Sequence, residues 1–165
     1  MKSLLLSFVN YNIWANQRVI VLMQKLNEEQ LTADLGSSFH TIKDTTYHIW
    51  MAESIWMQRL HLQENIILPH LDFAGSFQEA CTAWQNVSNE MAKFVNTQFD
   101  DRSFEHEVIY HTLKKEPMKS KVSDMILHCM NHSTFHRGQI IHFLRQLGVT
   151  QLPSTDFIAY SREKK

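Results

Sequence analysis

Apolar residues recur at intervals of three and four along most of the chain, which is the spacing of an amphipathic helix. Only four glycines and three prolines occur among 165 residues, so the predicted helices are long and seldom interrupted. Ser76 followed by Glu79 is typical of a capping box, and Gly148 is typical of a residue that ends a helix. The four long helices are predicted over residues 2–26, 39–63, 76–98 and 120–147. This pattern predicts an all-α protein, a four-helix bundle with one long crossover.

The segments between these helices have weaker patterns. Residues 27–38 are predicted to form a loop, and residues 64–75 a connection that contains both proline and glycine. Residues 99–119 alternate only weakly between apolar and polar positions, which predicts a long loop or an irregular hairpin before the last helix. No internal repeat divides the chain, so we expect a single domain over residues 1–165.

Composition narrows the functional classes. The net charge is −1 with acids and bases interspersed, so no basic stripe indicates a nucleic-acid partner. No apolar stretch reaches about 18 residues, and the apolar N-terminus is followed by no signal-peptide cleavage site, so we expect no membrane association. Two cysteines cannot build a disulfide framework, and the reducing cytoplasm fits them best.

Three histidines, His128, His132 and His136, repeat every four residues in the last predicted helix. Successive members lie only about 40° apart on one helical face. His136 falls inside the apolar stripe, His132 at its margin and His128 at its rim. A pair at this spacing can bind one metal ion, so His132 and His136 are candidate ligands. Chance alone can produce such a pair among ten histidines, and a hydrogen-bonded residue at the rim explains His128 equally well.

A third ligand must come from another helix, and His48 is the best placed. It lies at the margin of the apolar stripe of the second predicted helix, whereas the other histidines lie in loops, at helix ends or on other faces. Asp44 comes one turn earlier, where its carboxylate can hold the second N–H of the His48 imidazole. Gln139 and His128 are candidates for the surroundings of the site, with Gln139 orienting a bound water or substrate.

Three neighbouring residues have a structural and a functional interpretation. Arg137 either pairs across helices or reaches an anion near the site, and the structural pairing is favoured. Cys129 is a candidate soft ligand, but a buried cysteine is more often a small hydrophobic residue. Trp50 lies opposite the apolar stripe of its predicted helix, which predicts an exposed ring and a dimer contact.

Four segments of the sequence resemble the DinB family of DinB/YfiT-like metalloenzymes. They are Tyr11–Asn16, Ser38–Glu53, Leu127–Gln139 and Leu147–Ile158, and the His-Arg-Gly-Gln block at residues 136–139 is the most specific. The resemblance implies an up-down-down-up four-helix bundle that is often dimeric. It also implies a divalent metal held by three histidines, which by position are His48, His132 and His136. The chain departs from the family pattern at residues 104–119, which lack the glycine expected in the connecting hairpin.

Three neutral imidazoles leave open positions on a metal ion, which is typical of catalytic sites. Zinc or nickel is the expected ion, ahead of iron, cobalt and manganese. Some relatives are similar to thiol-dependent S-transferases that use a low-molecular-weight thiol such as bacillithiol. We therefore predict a homodimeric S-transferase that acts on small electrophiles in stress or detoxification. A metal-dependent hydrolase and a non-catalytic metal-binding dimer remain as alternatives.

Overall fold

Four long helices dominate the computed structural model, which describes residues 1–36 and 38–163. They are α1 (Lys2–Met23), α3 (Ile42–Leu60), α4 (Phe77–Thr97) and α5 (Val122–Gln146). The shorter elements are α2 (Glu28–Thr32), a 3-10 helix (Asp101–Glu105), the strands β1 (Glu107–His111) and β2 (Pro117–Lys121), and α6 (Phe157–Glu163).

The long helices form the predicted bundle with the predicted directions. One apolar cluster joins the end of α1, the starts of α3 and α4, and the end of α5. A second cluster joins the opposite ends of the same four helices. The helices α3 and α4 therefore run one way while α1 and α5 run the other, which confirms the up-down-down-up arrangement. Each of α1 and α3 packs against both α4 and α5.

Capping side chains determine where the helices begin. The Ser76 capping box is confirmed, since its hydroxyl accepts from Glu79 N–H and the Glu79 carboxylate accepts from Ser76 N–H. The second predicted helix was too long at both ends. Thr41 caps α3 by accepting from Asp44 N–H at 2.9 Å, and the helix ends at Leu60.

Residues 27–38 are not entirely a loop. Asn27 and Gln30 form a second capping box, and this pair starts the short helix α2. The capping residues were present in the sequence, but the helix is only five residues long and shows little periodicity.

Residues 107–121 form a regular antiparallel hairpin, in which Val108 pairs with Ser120 and Tyr110 with Met118, so the last helix begins two residues later than predicted. The hairpin alternative is thus confirmed, although its strands are regular. Its turn uses Lys115 at φ 64°, a left-handed backbone conformation that glycine usually supplies. The hairpin therefore turns without the glycine that the family pattern led us to expect.

Trp50 is buried and not exposed as predicted. Only 4% of its surface is accessible, and its ring lies 5.1 Å from the ring of Phe73 in the segment between α3 and α4. The prediction was wrong because that connection folds back over α3 and covers a second face of the helix. Trp50 therefore gives no support to a dimer contact.

No helix in the described part of the chain is both long enough and apolar enough to cross a bilayer.

Candidate metal centre

The structure brings together the three histidines that the sequence argument selected. His48 extends from α3, and His132 and His136 extend from α5, which packs beside it. The Nε2 atoms of His48 and His132 are 2.9 Å apart, and one potential ligand nitrogen from each of the three side chains lies within 4.8 Å of the others. Nitrogens that share one ion at about 2.1 Å must lie within about 4.2 Å of each other, so a small inward adjustment completes the site.

Burial keeps these imidazoles neutral at physiological pH. Desolvation, with a smaller contribution from neighbouring imidazoles, lowers the pKa of His48 to about 4 and that of His132 to about 3. Burial also lowers the pKa of His136. A neutral imidazole retains the lone pair that a metal ligand needs, so the donor set fits a divalent ion.

Gln139 orients one of the three imidazoles. Its Oε1 lies 2.6 Å from Nδ1 of His136, one turn earlier on α5. An amide oxygen can only accept, so Nδ1 carries the proton and Nε2 retains the lone pair for the centre. Gln139 therefore lies in the surroundings of the site, as predicted, and there it holds a candidate ligand; its contact with a bound water or substrate stays a prediction.

Asp44 and His128 lie outside the trio. The Asp44 carboxylate accepts from the Thr41 hydroxyl at 2.8 Å, so it belongs to the α3 cap and not to the His48 imidazole as predicted. His128 is exposed, with its ring centroid 6.1 Å from that of His132. This position agrees with the rim that helical geometry predicted for it.

Aromatic rings surround the centre. Phe39, in the segment before α3, stacks on His48 with centroids 3.9 Å apart and meets His136 edge-on at 5.5 Å. The Phe135 ring lies 4.9 Å from that of His136 and is 64% exposed. These rings reduce the access of water to the imidazoles from one side and give the opening an apolar edge.

A buried polar network beside the centre was missed by the sequence analysis. Glu53 of α3 is 1% exposed, and its carboxylate accepts from Asn12, Asn16, Ser88 and Ser133 at 2.6–3.3 Å. These partners lie on α1, α4 and α5, so one carboxylate connects all four long helices. A buried carboxylate with this many donors is satisfied without leaving the core.

Arg137 completes this network from α5 and is 1% exposed. It donates to Oδ1 of Asn12 and, at 2.8 Å, to Oδ1 of Asn16. Each asparagine therefore accepts from the arginine and donates to Glu53, so the two buried charges are connected through amides. Arg137 pairs across helices, as the structural interpretation predicted.

The network also sets the rotation of α5. Ser133 and Arg137, which bond into the bundle, directly follow His132 and His136 in the sequence. Successive residues of a helix are about 100° apart, so anchoring the first pair inward turns the second pair toward α3. The available signal was the Asn12 and Asn16 pair, because two asparagines one turn apart on an apolar stripe require buried partners.

Comparison with known proteins agrees with this architecture. A curated relative, the protein DinB of Bacillus subtilis (strain 168), is 26% identical over 159 residues, which is 91% of this chain and 89% of that protein. A DinB-like crystal structure from Bacillus cereus ATCC 10987 superposes with a TM-score of 0.65 at 17% identity, covering 89% of this chain and 94% of that one. A DinB-like structure from Bacillus subtilis gives 0.66 at 12% identity, covering 90% and 97%. The two structures share the fold of this chain.

The sequence model of the DinB family matches residues 1–164, nearly the whole chain. The three-histidine centre and the four-helix bundle are thus features of a chain that belongs to the DinB family.

Proposed function

We propose that this protein is a metal-dependent enzyme that transfers a small thiol to electrophilic substrates. The observation that carries the proposal is the convergence of three neutral imidazoles from two helices, with no carboxylate or thiol joining them among the described residues. Structural metal sites are usually closed by four protein ligands, whereas sites with three leave positions for reactants. A bound divalent ion, zinc or nickel foremost, would act as a Lewis acid that lowers the pKa of a coordinated thiol or water.

The nucleophile must come from outside the protein. Cys129, the nearest candidate thiol in sequence, is 1% exposed, and burial raises its pKa well above the usual value. A small thiol therefore supplies the sulfur. The sulfur forms a bond to the electrophilic carbon, the leaving group departs with its bonding electron pair, and the thiol proton passes to solvent. The exposed ring of Phe135 offers the electrophile an apolar surface beside the centre.

Hydrolysis is the second candidate, and His128 is the observation that favours it. Its exposed imidazole lies on the same face of α5 as His132, where it can accept a proton from an attacking water. Thiol transfer and hydrolysis would use the same three ligands, so an activity screen must separate them.

Two further properties belong to the proposal. We propose a homodimer, which rests on the family resemblance alone. We also propose the reducing cytoplasm as the compartment, since both cysteines are free and buried.

Metal content tests the centre. We expect untagged protein from rich medium to carry about one divalent ion per chain by elemental analysis, because three converged imidazoles bind such an ion tightly. His132→Ala should lose most of this metal. His142→Ala, which removes an exposed histidine of the same helix, is the matched control and should retain it. Full metal content in His132→Ala would contradict the ligand assignment.

Activity tests the reaction. Metal-loaded protein is incubated with 1-chloro-2,4-dinitrobenzene and a panel of thiols including bacillithiol, and with 4-nitrophenyl acetate for hydrolysis. We expect thiol conjugation that His48→Ala abolishes and His142→Ala leaves unchanged. Ester hydrolysis without conjugation would favour the second candidate, and silence with every thiol and metal would favour a non-catalytic protein.

A further inference from the structure

A cavity lies at the far end of α3 from the histidine centre. It has a volume of about 680 Å³ and is enclosed by the end of α3, the segment after it and the β1–β2 hairpin. Arg59, one of its lining residues, is eleven positions beyond His48 on α3, or about 16 Å along the helix axis. The cavity is therefore separate from the candidate metal centre.

The Arg59 guanidinium is buried without an acidic partner. The residue is 7% exposed, and its guanidinium lies 4.7 Å from the Trp56 ring centroid and 4.5 Å from that of Tyr110. Within the described residues no carboxylate forms an ion pair with it, and Nη2 donates to the His111 carbonyl oxygen at 3.1 Å. The Nε atom is buried and has no hydrogen-bond partner among the described residues. The Nη1 atom also has no partner there, but it is accessible to solvent from the cavity. A buried cation that lacks an acid is costly, so the arrangement favours an anion that enters from the cavity.

The rim of this cavity carries three exposed apolar side chains among polar ones. Leu62, Ile109 and Leu113 line it and are 69%, 72% and 59% exposed. Lys115 and Glu64 also line it, and their charges offset each other. The cavity thus combines one buried cation with apolar side chains around its opening, which is the usual composition of a site for a small organic ligand.

Two left-handed turns of the backbone border the same cavity. In the described part of the chain, two residues other than glycine have positive φ, namely Leu62 at 57° and Lys115 at 64°. Both line the cavity, one from the segment after α3 and the other from the hairpin turn. Leu62 ends α3 in a Schellman motif, in which its N–H donates to the Arg59 carbonyl and Gln63 N–H donates to the Gln58 carbonyl, and Lys115 turns the hairpin. The two turns therefore fix the shape of the cavity walls.

We propose that this cavity binds a small amphiphilic carboxylate. The acid group meets Nη1 of the Arg59 guanidinium, and the apolar body lies against Leu62, Ile109 and Leu113. A purely structural role for Arg59, as a clip between α3 and the hairpin, accounts for the bond to the His111 carbonyl. It does not account for a cation without an acid beside three exposed apolar side chains. The site uses none of the three histidines and goes beyond the proposed function.

Titration with octanoate, followed by calorimetry or by amide chemical shifts, tests this site. We expect saturable binding of octanoate and at least about tenfold weaker binding of octanamide, which has the same body without the charge. Arg59→Met keeps the length and apolar stem of the side chain and should weaken octanoate binding by about tenfold or more. Arg145→Met removes an exposed arginine of α5 away from the cavity and should leave the affinity unchanged.

A rim variant keeps the test decisive if Arg59→Met fails to fold. Leu113 is exposed, so Leu113→Gln should fold normally and weaken octanoate binding by about threefold or more. The proposal is overturned if octanoate does not bind at millimolar concentration, or if octanamide binds as tightly as octanoate. It is also overturned if the cavity variants keep the wild-type affinity, or if inorganic phosphate binds as tightly as octanoate.

Discussion

At the residue scale, the centre depends on imidazoles whose protonation is suppressed by their surroundings. The pKa of His48 is lowered to about 4 and that of His132 to about 3, chiefly through burial. Both folded values lie below the ordinary histidine value of about 6.5, so these side chains bind no proton over most of the acidic range where a free histidine would. Protons therefore compete with a metal ion only at low pH.

This protonation behaviour predicts a flat pH dependence of metal affinity. We expect the apparent dissociation constant for Co²⁺ or Zn²⁺ to weaken less than about tenfold between pH 7.5 and 5.5, and to weaken steeply only toward pH 4. Three histidines with the ordinary pKa would lose about 10³-fold over the same interval. A short peptide that carries three histidines is the control, and competition with a chelator indicator measures both. A loss near 10³-fold for the protein would show that the histidines titrate as exposed residues.

At the element scale, neighbouring residues of α5 serve two different functions. Its inward residues, Ser133 and Arg137, bond to the network around Glu53, and the histidines that precede them face α3. The position of the candidate ligands therefore depends on buried polar groups as well as on apolar packing. Polar networks of this kind specify one arrangement of helices because any rotation leaves buried groups unpaired.

Removal of Arg137 should destabilise the fold strongly. Arg137→Met leaves the Glu53 charge without its buried counter-charge and leaves both asparagine oxygens without their donor. We expect the free energy of unfolding to fall by about 3–5 kcal/mol, the range for breaking a buried charge network on one side. Urea denaturation at pH 7 measures the change.

Two further variants serve as controls for the Arg137→Met result. Arg145→Met, at an exposed arginine of the same helix, should change the free energy of unfolding by less than about 0.5 kcal/mol. The double variant with Glu53→Gln should recover part of the loss, since the uncompensated charge is then absent. If Arg137→Met cost less than about 1 kcal/mol, the network would not hold α5 in place.

The elements that the sequence predicted best are those with strong local signals. The Ser76 capping box and Gly148 defined helix ends because their chemistry acts within one turn. Helix α2 and the regular hairpin were less predictable, because a short helix shows little periodicity and Lys115 adopts a conformation usually reserved for glycine. Helical geometry selected the three histidines, whereas the Glu53 network stayed hidden because its partners lie far apart in the sequence.

At the scale of the whole molecule, the candidate metal ligands lie outside the clusters that pack the bundle. The apolar clusters at the two ends of the bundle and the polar network between the helices contain none of the three histidines. The network includes only their neighbours on α5, Ser133 and Arg137. The histidines occupy the edge of the α3 and α5 interface, beside exposed Phe135 and His128. Zinc fingers differ from this arrangement, because their small core cannot form without the ion.

Metal removal should therefore leave the bundle folded. We expect chelator-treated protein to keep its helical circular dichroism and to unfold cooperatively, because two apolar cores persist without the ion. At metal concentrations about 100 times the dissociation constant, binding adds about 2.7 kcal/mol, so chelation should lower the melting temperature by about 5–10 °C. His132→Ala should melt at a similar temperature with and without chelator, which shows that the shift comes from this centre. If chelation instead abolished the helical signal, the three histidines would serve as a structural staple, and the open positions on the ion would lose their significance for catalysis.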